Sequence, residues 1–146
     1  MRIRRARSED VAAIARIAAE SYRHAFAAIL GRRALQARGS GFFRRRLRRL
    51  GARLRVATMR GRIVGFSLTT RRHLDMLFVA PRFIGRGAGL RLLRDVERRG
   101  VRTLECFRDN HAARRFYERA GWRLVRGYER IFIGRRLAFV FYERAA

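Results

Sequence analysis

The chain has 146 residues, of which 49% are hydrophobic and one is proline, a composition typical of a folded globule rather than a disordered tail. This length fits one domain with a substantial core. No apolar run approaches the roughly 20 residues of a membrane helix. A single cysteine excludes an internal disulfide framework. We therefore predict one domain over residues 1–146 and, because no apolar stretch follows the basic N-terminus, a cytoplasmic location.

The charge is strongly one-sided, with 37 basic residues, all of them arginine, against 11 acidic ones. A basic surface that releases counterions from a phosphate backbone is typical of a nucleic-acid binder. The codon bias of a GC-rich genome produces the same composition, and the arginines are spread along the whole chain. We therefore expect only non-specific, charge-driven contact with nucleic acid, together with attraction of anionic ligands and repulsion of polycations.

The first third of the chain is predicted to be one strand followed by helices. Apolar and basic residues alternate over residues 1–6, which indicates a strand, and apolar residues at helical spacing then predict a helix to about Tyr22. The stretch from Arg23 to Gly51 is helical in character, with a break at Gly31. Its dense arginine cluster at Gly41–Leu50 is interpreted as the solvated face of a helix.

From Arg53 the apolar pattern changes to a period of two, which predicts an antiparallel hairpin that turns at residues 60–62. A fourth strand and a glycine-rich loop precede an amphipathic helix, and a fifth strand precedes a short helix that Gly121 ends. Two more strands, near Arg123–Ile133 and Arg136–Tyr142, follow. The predicted fold class is α/β, more narrowly α+β, with a mixed sheet.

The loop after the fourth strand is the most informative segment, because glycines alternate there just before a helix begins. Glycine lets the backbone turn tightly and approach a ligand, and a helix start offers unpaired N–H groups at the positive end of its dipole. We expect this backbone to bind a pyrophosphate, with added charge from the arginine side chain. The residues concerned are Gly85, Arg86, Gly87, Ala88, Gly89 and Leu90.

Two known types of nucleotide site fit this loop poorly. A Rossmann site has its glycines after the first strand of a parallel sheet, whereas this loop lies past mid-chain and follows antiparallel strands. A P-loop needs a lysine, and the chain has none.

Two motifs resemble those of the GCN5-related N-acetyltransferase (GNAT) superfamily. The family's acetyl-CoA motif, Q/R-x-x-G-x-G/A, falls on Ile84–Gly89, after a strand of the pattern L-x-V-x-P at Leu77–Pro81. The second motif, N-x-x-A-x-x-F-Y-x-x-x-G-[FW], matches Asn110–Trp122 in full. The resemblance is strong over Arg53–Trp122 and weak over the first helix. Ile84 departs from the family's Gln or Arg, and we expect it to alter cofactor affinity rather than abolish binding.

The resemblance implies a central, mixed, mostly antiparallel twisted sheet of about seven strands, flanked by about four helices, with strands four and five splayed apart. It implies acetyl-CoA as co-substrate and no metal. The pantetheine arm of the cofactor is expected along the backbone of Leu77, Phe78 and Val79. Asn110 is expected to bind that arm, to cap its helix, or both. Homodimers are common in this family.

Three residues are candidates for the chemistry, since direct attack by an amine needs both a base and an acid. The resemblance places Tyr117 at the acid position beside the cofactor sulfur; the alternative is a buried tyrosine bonded to a backbone carbonyl. Glu105 on the fifth strand and Asp75 on the fourth are equal candidates for the base, and either carboxylate could instead be paired with arginine. Cys106 is expected to be a small core residue rather than a nucleophile.

The function expected from this resemblance is transfer of an acetyl group from acetyl-CoA to a primary amine of a small molecule or peptide. The net charge of +26 argues against a polycationic acceptor. The alternative is a non-catalytic acetyl-CoA-binding or nucleic-acid-associated module that retains the fold, which Ile84 and the charge favour.

Overall fold

The computed structural model describes residues 1–145 and contains a seven-stranded sheet. The strands are β1 (Arg2–Arg5), β2 (Leu54–Met59), β3 (Arg62–Thr70), β4 (His73–Val79), β5 (Thr103–Phe107), β6 (Arg123–Phe132) and β7 (Arg135–Glu143). They lie in the order β1-β2-β3-β4-β5-β7-β6, and every neighbouring pair is antiparallel except β4 and β5. The predicted mixed, mostly antiparallel sheet is confirmed.

Five α-helices accompany the sheet within residues 1–145, one more than the approximate number expected. They are α1 (Val11–Leu30), α2 (Arg32–Gln36), α3 (Ser40–Arg48), α4 (Ala88–Arg98) and α5 (His111–Arg119). Helix α1 continues past Tyr22, its expected end, because Phe26 and Leu30 extend the buried stripe. It ends at Gly31, whose φ of 82° lies outside the helical range. None of these helices is long and apolar enough to cross a membrane.

The hairpin of β2 and β3 turns where the sequence predicts. Its two loop residues, Arg60 and Gly61, have φ values of 51° and 78°. Positive φ at both positions gives the turn a twist that matches that of the two strands. Non-glycine residues are uncommon in this region of φ, so Arg60 is placed there by the turn rather than by its own preference.

Hydrophobic clusters lie on both faces of the sheet. One cluster joins α1 and α3 to the sheet and includes Ile14 and Phe66, and another joins α4 and α5 to it and includes Leu93. Successive residues of a strand point to opposite faces, and accordingly Phe139 belongs to the first cluster and Val140 to the second. The sheet therefore separates an α1–α3 side from an α4–α5 side.

Strands β4 and β5 pair over only two residues each, beginning with His73 opposite Thr103. Beyond that point β4 continues beside β3 to Val79, while β5 continues beside β7 to Phe107. The two parallel strands therefore separate and leave an opening in the middle of the sheet. The splay that the family resemblance implies is confirmed, and it determines where the site lies.

Candidate active site

Three cavities adjoin one another where β4 and β5 separate. A groove of about 670 Å³ lies beside the glycine loop and α5, a gap of about 160 Å³ lies between the two strands, and a cleft of about 800 Å³ lies beside α3. The groove and the gap share Asn110 and Tyr117 in their walls, whereas the gap and the cleft share Asp75 and Glu105. The three cavities therefore form one continuous opening, whose walls include α1 on one side of the sheet and α5 on the other.

The groove contains most of the residues predicted to bind the cofactor. Those that line it are Leu77, Phe78, Val79, Gly85, Gly87, Gly89, Leu90, Asn110 and Tyr117. Ala88 is instead buried in the cluster that contains Leu92, so its side chain does not line the groove. The strand end, the glycine loop and the start of α5 are thus brought together as the two motifs require.

The glycine loop has the backbone geometry of an anion-binding site. Gly85 and Gly87 have φ values of 88° and 91°, a region that only glycine enters readily. The N–H groups of residues 87–90 have no backbone acceptor among the described residues, as is usual in the first turn of a helix. These donors lie at the positive end of the α4 dipole, so the loop fits a phosphate group.

The Arg86 side chain does not line the groove, contrary to its expected role. Its guanidinium carbon lies 5.4 Å from the centre of the Phe83 ring, and that of Arg82 lies 5.7 Å from the same ring. Arg86 lines a separate cavity beside the arginines of α4. Ile84, 56% exposed, contributes an apolar side chain to the groove. The groove therefore offers backbone groups at the loop, together with the polar side chains of Ser21, His24 and Arg119 in its walls.

Tyr117 lies on α5 with 8% of its surface exposed, at the boundary between the groove and the gap. Its hydroxyl has no hydrogen-bond partner among residues 1–145. The hydroxyl oxygen is nevertheless accessible, because Ser67 Oγ is the only fully buried side-chain nitrogen or oxygen without a partner among the described residues. The structure therefore does not show a tyrosine bonded to a backbone carbonyl. Burial, and to a lesser extent the neighbouring Cys106, raises the pKa of Tyr117, so the phenol keeps its proton.

Cys106 lines the gap next to Tyr117. Burial is the main cause that raises the pKa of its thiol to about 12. A thiol that stays protonated is a poor nucleophile, in agreement with the expectation that Cys106 is a packing residue.

Both carboxylate oxygens of Glu105 are occupied. Arg130 donates to Oε1 at 2.5 Å and to Oε2 at 3.1 Å, and the Tyr128 hydroxyl also donates to Oε2. Burial alone raises the pKa of Glu105, but the hydrogen bonds from Arg130 and Tyr128 outweigh it and leave the pKa lowered. Glu105 is therefore an ionised carboxylate held tightly by its neighbours.

Asp75 is paired less completely. Its Oδ2 accepts hydrogen bonds from Thr70 Oγ1 at 2.5 Å and from Arg53 at 3.2 Å, whereas Oδ1 has no partner among the described residues. Asp75 thus keeps a free acceptor in a residue that lines both the gap and the cleft. No group of three or more His, Cys, Asp or Glu side chains within residues 1–145 is arranged to hold a metal ion.

Asn110 caps α5, as expected. Its side-chain oxygen accepts a hydrogen bond from the backbone N–H of Ala113 at 3.3 Å, which satisfies one of the free donors of the first turn. Asn110 also lines both the groove and the gap. Its role in holding a cofactor stays a prediction.

A comparison with protein families identifies the fold's family. The profile of the acetyltransferase (GNAT) domain matches residues 34–142. The chain belongs to the GNAT acetyltransferase family. The match extends beyond the two motifs on both sides and includes α3 and nearly all of β7.

Solved structures with the GNAT fold cover almost the whole chain. Apo YjaB from Escherichia coli has a TM-score of 0.84 and 24% identity, covering 97% of this chain and 95% of its own. The GCN5-related N-acetyltransferase from Rhodopseudomonas palustris has a TM-score of 0.78 and 26% identity, covering 99% and 95%. The PaiA N-acetyltransferase from Thermoplasma acidophilum, solved with coenzyme A, has a TM-score of 0.71 and 16% identity, covering 99% and 98%. No curated protein matches the chain.

Sequence reasoning missed several side chains of this GNAT site. Tyr22 of α1 lines both the gap and the cleft, and its place on the apolar stripe of α1 was a usable signal. Arg53, Tyr128 and Arg130 bind the two carboxylates. Arg130 lies on β6 and Glu105 on β5, with β7 between the two strands. Their contact depends on this strand order, which could not be obtained from the motifs.

Proposed function

We propose that this GNAT domain binds acetyl-CoA in the groove and transfers its acetyl group to a primary amine that enters through the cleft. The observation that carries the proposal is the opening through the sheet, with the unpartnered hydroxyl of Tyr117 on one side and the free oxygen of Asp75 on the other. A donor and an acceptor entering from opposite ends of this opening would meet between these two groups.

The groove suits acetyl-CoA in two respects. The free N–H groups of residues 87–90 are placed for the cofactor's phosphates. Beyond its second residue, the edge of β4 that faces the gap has no strand partner, so the backbone of Leu77, Phe78 and Val79 is available to an extended pantetheine arm. The PaiA structure solved with coenzyme A has the same fold, which supports this placement.

Tyr117 is proposed as the proton donor. The bound acetyl-CoA supplies the acetyl group as a thioester, and breaking its carbon–sulfur bond leaves a thiolate. The raised pKa of Cys106, about 12, indicates that burial makes a thiolate in this gap a strong base. The protonated phenol of Tyr117, buried beside it, is placed to give that thiolate its proton.

Asp75 is proposed as the base, acting directly or through a water molecule. The attacking amine forms the new nitrogen–carbon bond and must lose a proton, which the free Oδ1 of Asp75 can accept. One proton thus passes from the amine to Asp75, and another passes from Tyr117 to sulfur. Glu105, with both oxygens occupied, is assigned to holding Arg130 and Tyr128 in the wall of the cleft.

The proposal is tested with Tyr117→Phe. We expect kcat to fall about 100-fold, the usual effect of removing a general acid, while calorimetry shows unchanged affinity for acetyl-CoA. Turnover is measured as free thiol released in the presence of a panel of amines. Tyr142→Phe is the control for structural loss, since Tyr142 belongs to the same buried cluster as Tyr117 and its hydroxyl bonds Arg114 and Glu118 of α5, but it does not line any of the three cavities.

Three outcomes are informative. Absence of both acetyl-CoA binding and thiol release in the wild-type protein would contradict the proposal. Binding of acetyl-CoA without thiol release for any amine would favour the non-catalytic module. Equal losses of kcat in Tyr117→Phe and Tyr142→Phe would remove the assigned role of Tyr117.

A further inference from the structure

The cleft has a large excess of positive charge in its own walls. Six arginines line it against only two carboxylates, Asp75 and Glu105. The arginines are Arg38, Arg45, Arg46, Arg49, Arg53 and Arg130. The charge of this surface is therefore a property of the site itself and not only of the whole molecule.

Four of the six arginines have no carboxylate partner within residues 1–145. Arg53 is paired with Asp75 at 3.2 Å and Arg130 with Glu105 at 2.5 Å. Arg38, Arg45, Arg46 and Arg49 form no ion pair with a described residue. Like charges gathered on one surface raise the local potential and attract an anion, and guanidinium groups bind carboxylate and phosphate in a bidentate manner.

These four arginines occupy one end of the site. Asp75 and Glu105 line both the gap and the cleft, whereas the four unpaired arginines line the cleft alone. A molecule in the cleft therefore faces the two arginine-paired carboxylates and Arg130 at the end next to the acetyl-transfer gap, and the four unpaired arginines elsewhere. This order suits a ligand with an amine at one end and an anionic group at the other.

Aromatic side chains complete the cleft between these charges. Tyr22, Phe42 and Phe43 line it, and the guanidinium carbon of Arg38 lies 4.1 Å from the centre of the Phe42 ring. Stacking of this kind restricts the Arg38 side chain without using its outward N–H donors. The cleft thus offers a partly apolar wall along with oriented positive charge.

We propose that the acceptor of the transfer is an amine that carries an anionic group, a carboxylate or a phosphate, held by the arginines of α3 and its flanks. This inference rests on the proposed function and names the substrate class of the same site. It goes beyond repulsion of polycations, because it requires particular residues, Arg45 and Arg49 among them, to contact the acceptor.

Helix α3 provides a matched pair of variants for the test. Arg45 and Arg49 are four residues apart and line the cleft, whereas Arg44 and Arg48 are also four residues apart, are exposed, and do not line it. The double variants Arg45→Gln/Arg49→Gln and Arg44→Gln/Arg48→Gln remove the same net charge from α3 and the residue that caps its C-terminal end. Any difference between them therefore reports on the cleft and not on the total charge.

The assay compares kcat/KM for an amino acid with that for its carboxamide, and for phosphoethanolamine with that for ethanolamine. We expect the anionic member of at least one pair to be preferred about tenfold or more, the effect of a charge-assisted contact. The preferred pair distinguishes carboxylate from phosphate. Arg45→Gln/Arg49→Gln should lose most of the preference through KM, and Arg44→Gln/Arg48→Gln should retain it.

Equal kcat/KM within both pairs would overturn the inference while leaving the proposed function intact. Equal losses in the two double variants would also overturn it, since general steering would then explain the preference.

Calorimetry with the N-acetylated amino acid and with N-acetylphosphoethanolamine reports on the cleft without turnover. If at least one of these products binds, and its binding weakens in Arg45→Gln/Arg49→Gln but not in Arg44→Gln/Arg48→Gln, the result supports an anion-binding cleft. If neither product binds, the result contradicts it. A short RNA can be added as a competitor of the anionic amine. If it competes, and both double variants weaken that competition equally, the arginines form a nucleic-acid surface and the assignment is overturned.

Discussion

At the residue scale, Asp75 and Glu105 show how two carboxylates of similar sequence context acquire different environments. Glu105 accepts three hydrogen bonds that use both oxygens, while those to Asp75 use Oδ2 alone. A base needs an unoccupied lone pair within reach of the proton it accepts. We therefore expect Asp75→Asn to lower kcat about 100-fold, and Glu105→Gln to act mainly on KM for the amine by releasing Arg130.

Steady-state thiol release with the best amine of the panel measures both effects. Circular dichroism and thermal melting of each variant separate a loss of chemistry from a loss of fold. The opposite ranking, with kcat lost in Glu105→Gln and retained in Asp75→Asn, would assign the base to Glu105. Neither substitution changes side-chain size appreciably, so packing differences are small.

The residues that line the groove could be predicted from the sequence better than the contacts of the side chains around it. Gly85 and Gly87 could be found because a tight turn before a helix start sets a local backbone requirement, whereas Tyr117 was proposed through the resemblance of Asn110–Trp122 to the family motif. The direction of the Arg86 side chain could not be found, because it depends on the ring of Phe83. The partners of Glu105 come from β6, which is two strands away in the sheet and is joined to β5 only through β7.

At the element scale, the second motif combines residues proposed for function with residues that hold the structure together. Gly121 adopts a φ of 99° after α5, and the indole N–H of Trp122 donates to the buried Glu97 of α4 at 2.8 Å. Glu97 also pairs with Arg94 at 2.8 Å. The end of the motif therefore fixes α5 against α4, which places Tyr117 beside the groove.

The junction of β1 and α1 depends on one carboxylate, Asp10. It is 7% exposed and accepts hydrogen bonds from Arg4 at 2.8 Å and from the backbone N–H of Arg7 at 2.7 Å. Asparagine keeps an acceptor but loses the charge. We expect Asp10→Asn to reduce the free energy of unfolding at pH 7 by about 1.5–3 kcal/mol, the range for hydrogen bonds to charged groups.

The pH dependence of this effect follows from the pKa of Asp10. The hydrogen bond from Arg4 is the main cause that lowers the pKa of Asp10 below 3.8. A lowered pKa in the folded state stabilises the protein above the unfolded-state value, and the stabilisation is lost as pH falls through the folded-state value. Urea unfolding should therefore show a wild-type advantage over Asp10→Asn at pH 7 that disappears in strong acid. Glu9→Gln, at an exposed neighbouring position, is the control, and an advantage that persists in strong acid would contradict the assignment.

At the scale of the whole molecule, the net charge of +26 and the cleft arginines act in the same direction over different distances. The field of the whole chain extends over a Debye length, about 10 Å at 0.1 M salt and about 3 Å at 1 M. Contacts within the cleft are shorter than either distance. Salt therefore separates steering of the acceptor toward the site from its recognition within the site.

Raising the salt concentration from 0.1 M to 1 M should lower kcat/KM for an anionic amine several-fold, because long-range attraction is screened. For a polycation such as spermidine, kcat/KM should be low at 0.1 M and should rise with salt, because repulsion by the chain and by the cleft is screened. A neutral amine of similar size should change little, and it corrects for effects of salt on acetyl-CoA binding and on the fold. Efficient acetylation of spermidine or an aminoglycoside at 0.1 M salt would mean that an acidic surface guides the acceptor, against the six arginines that line the cleft.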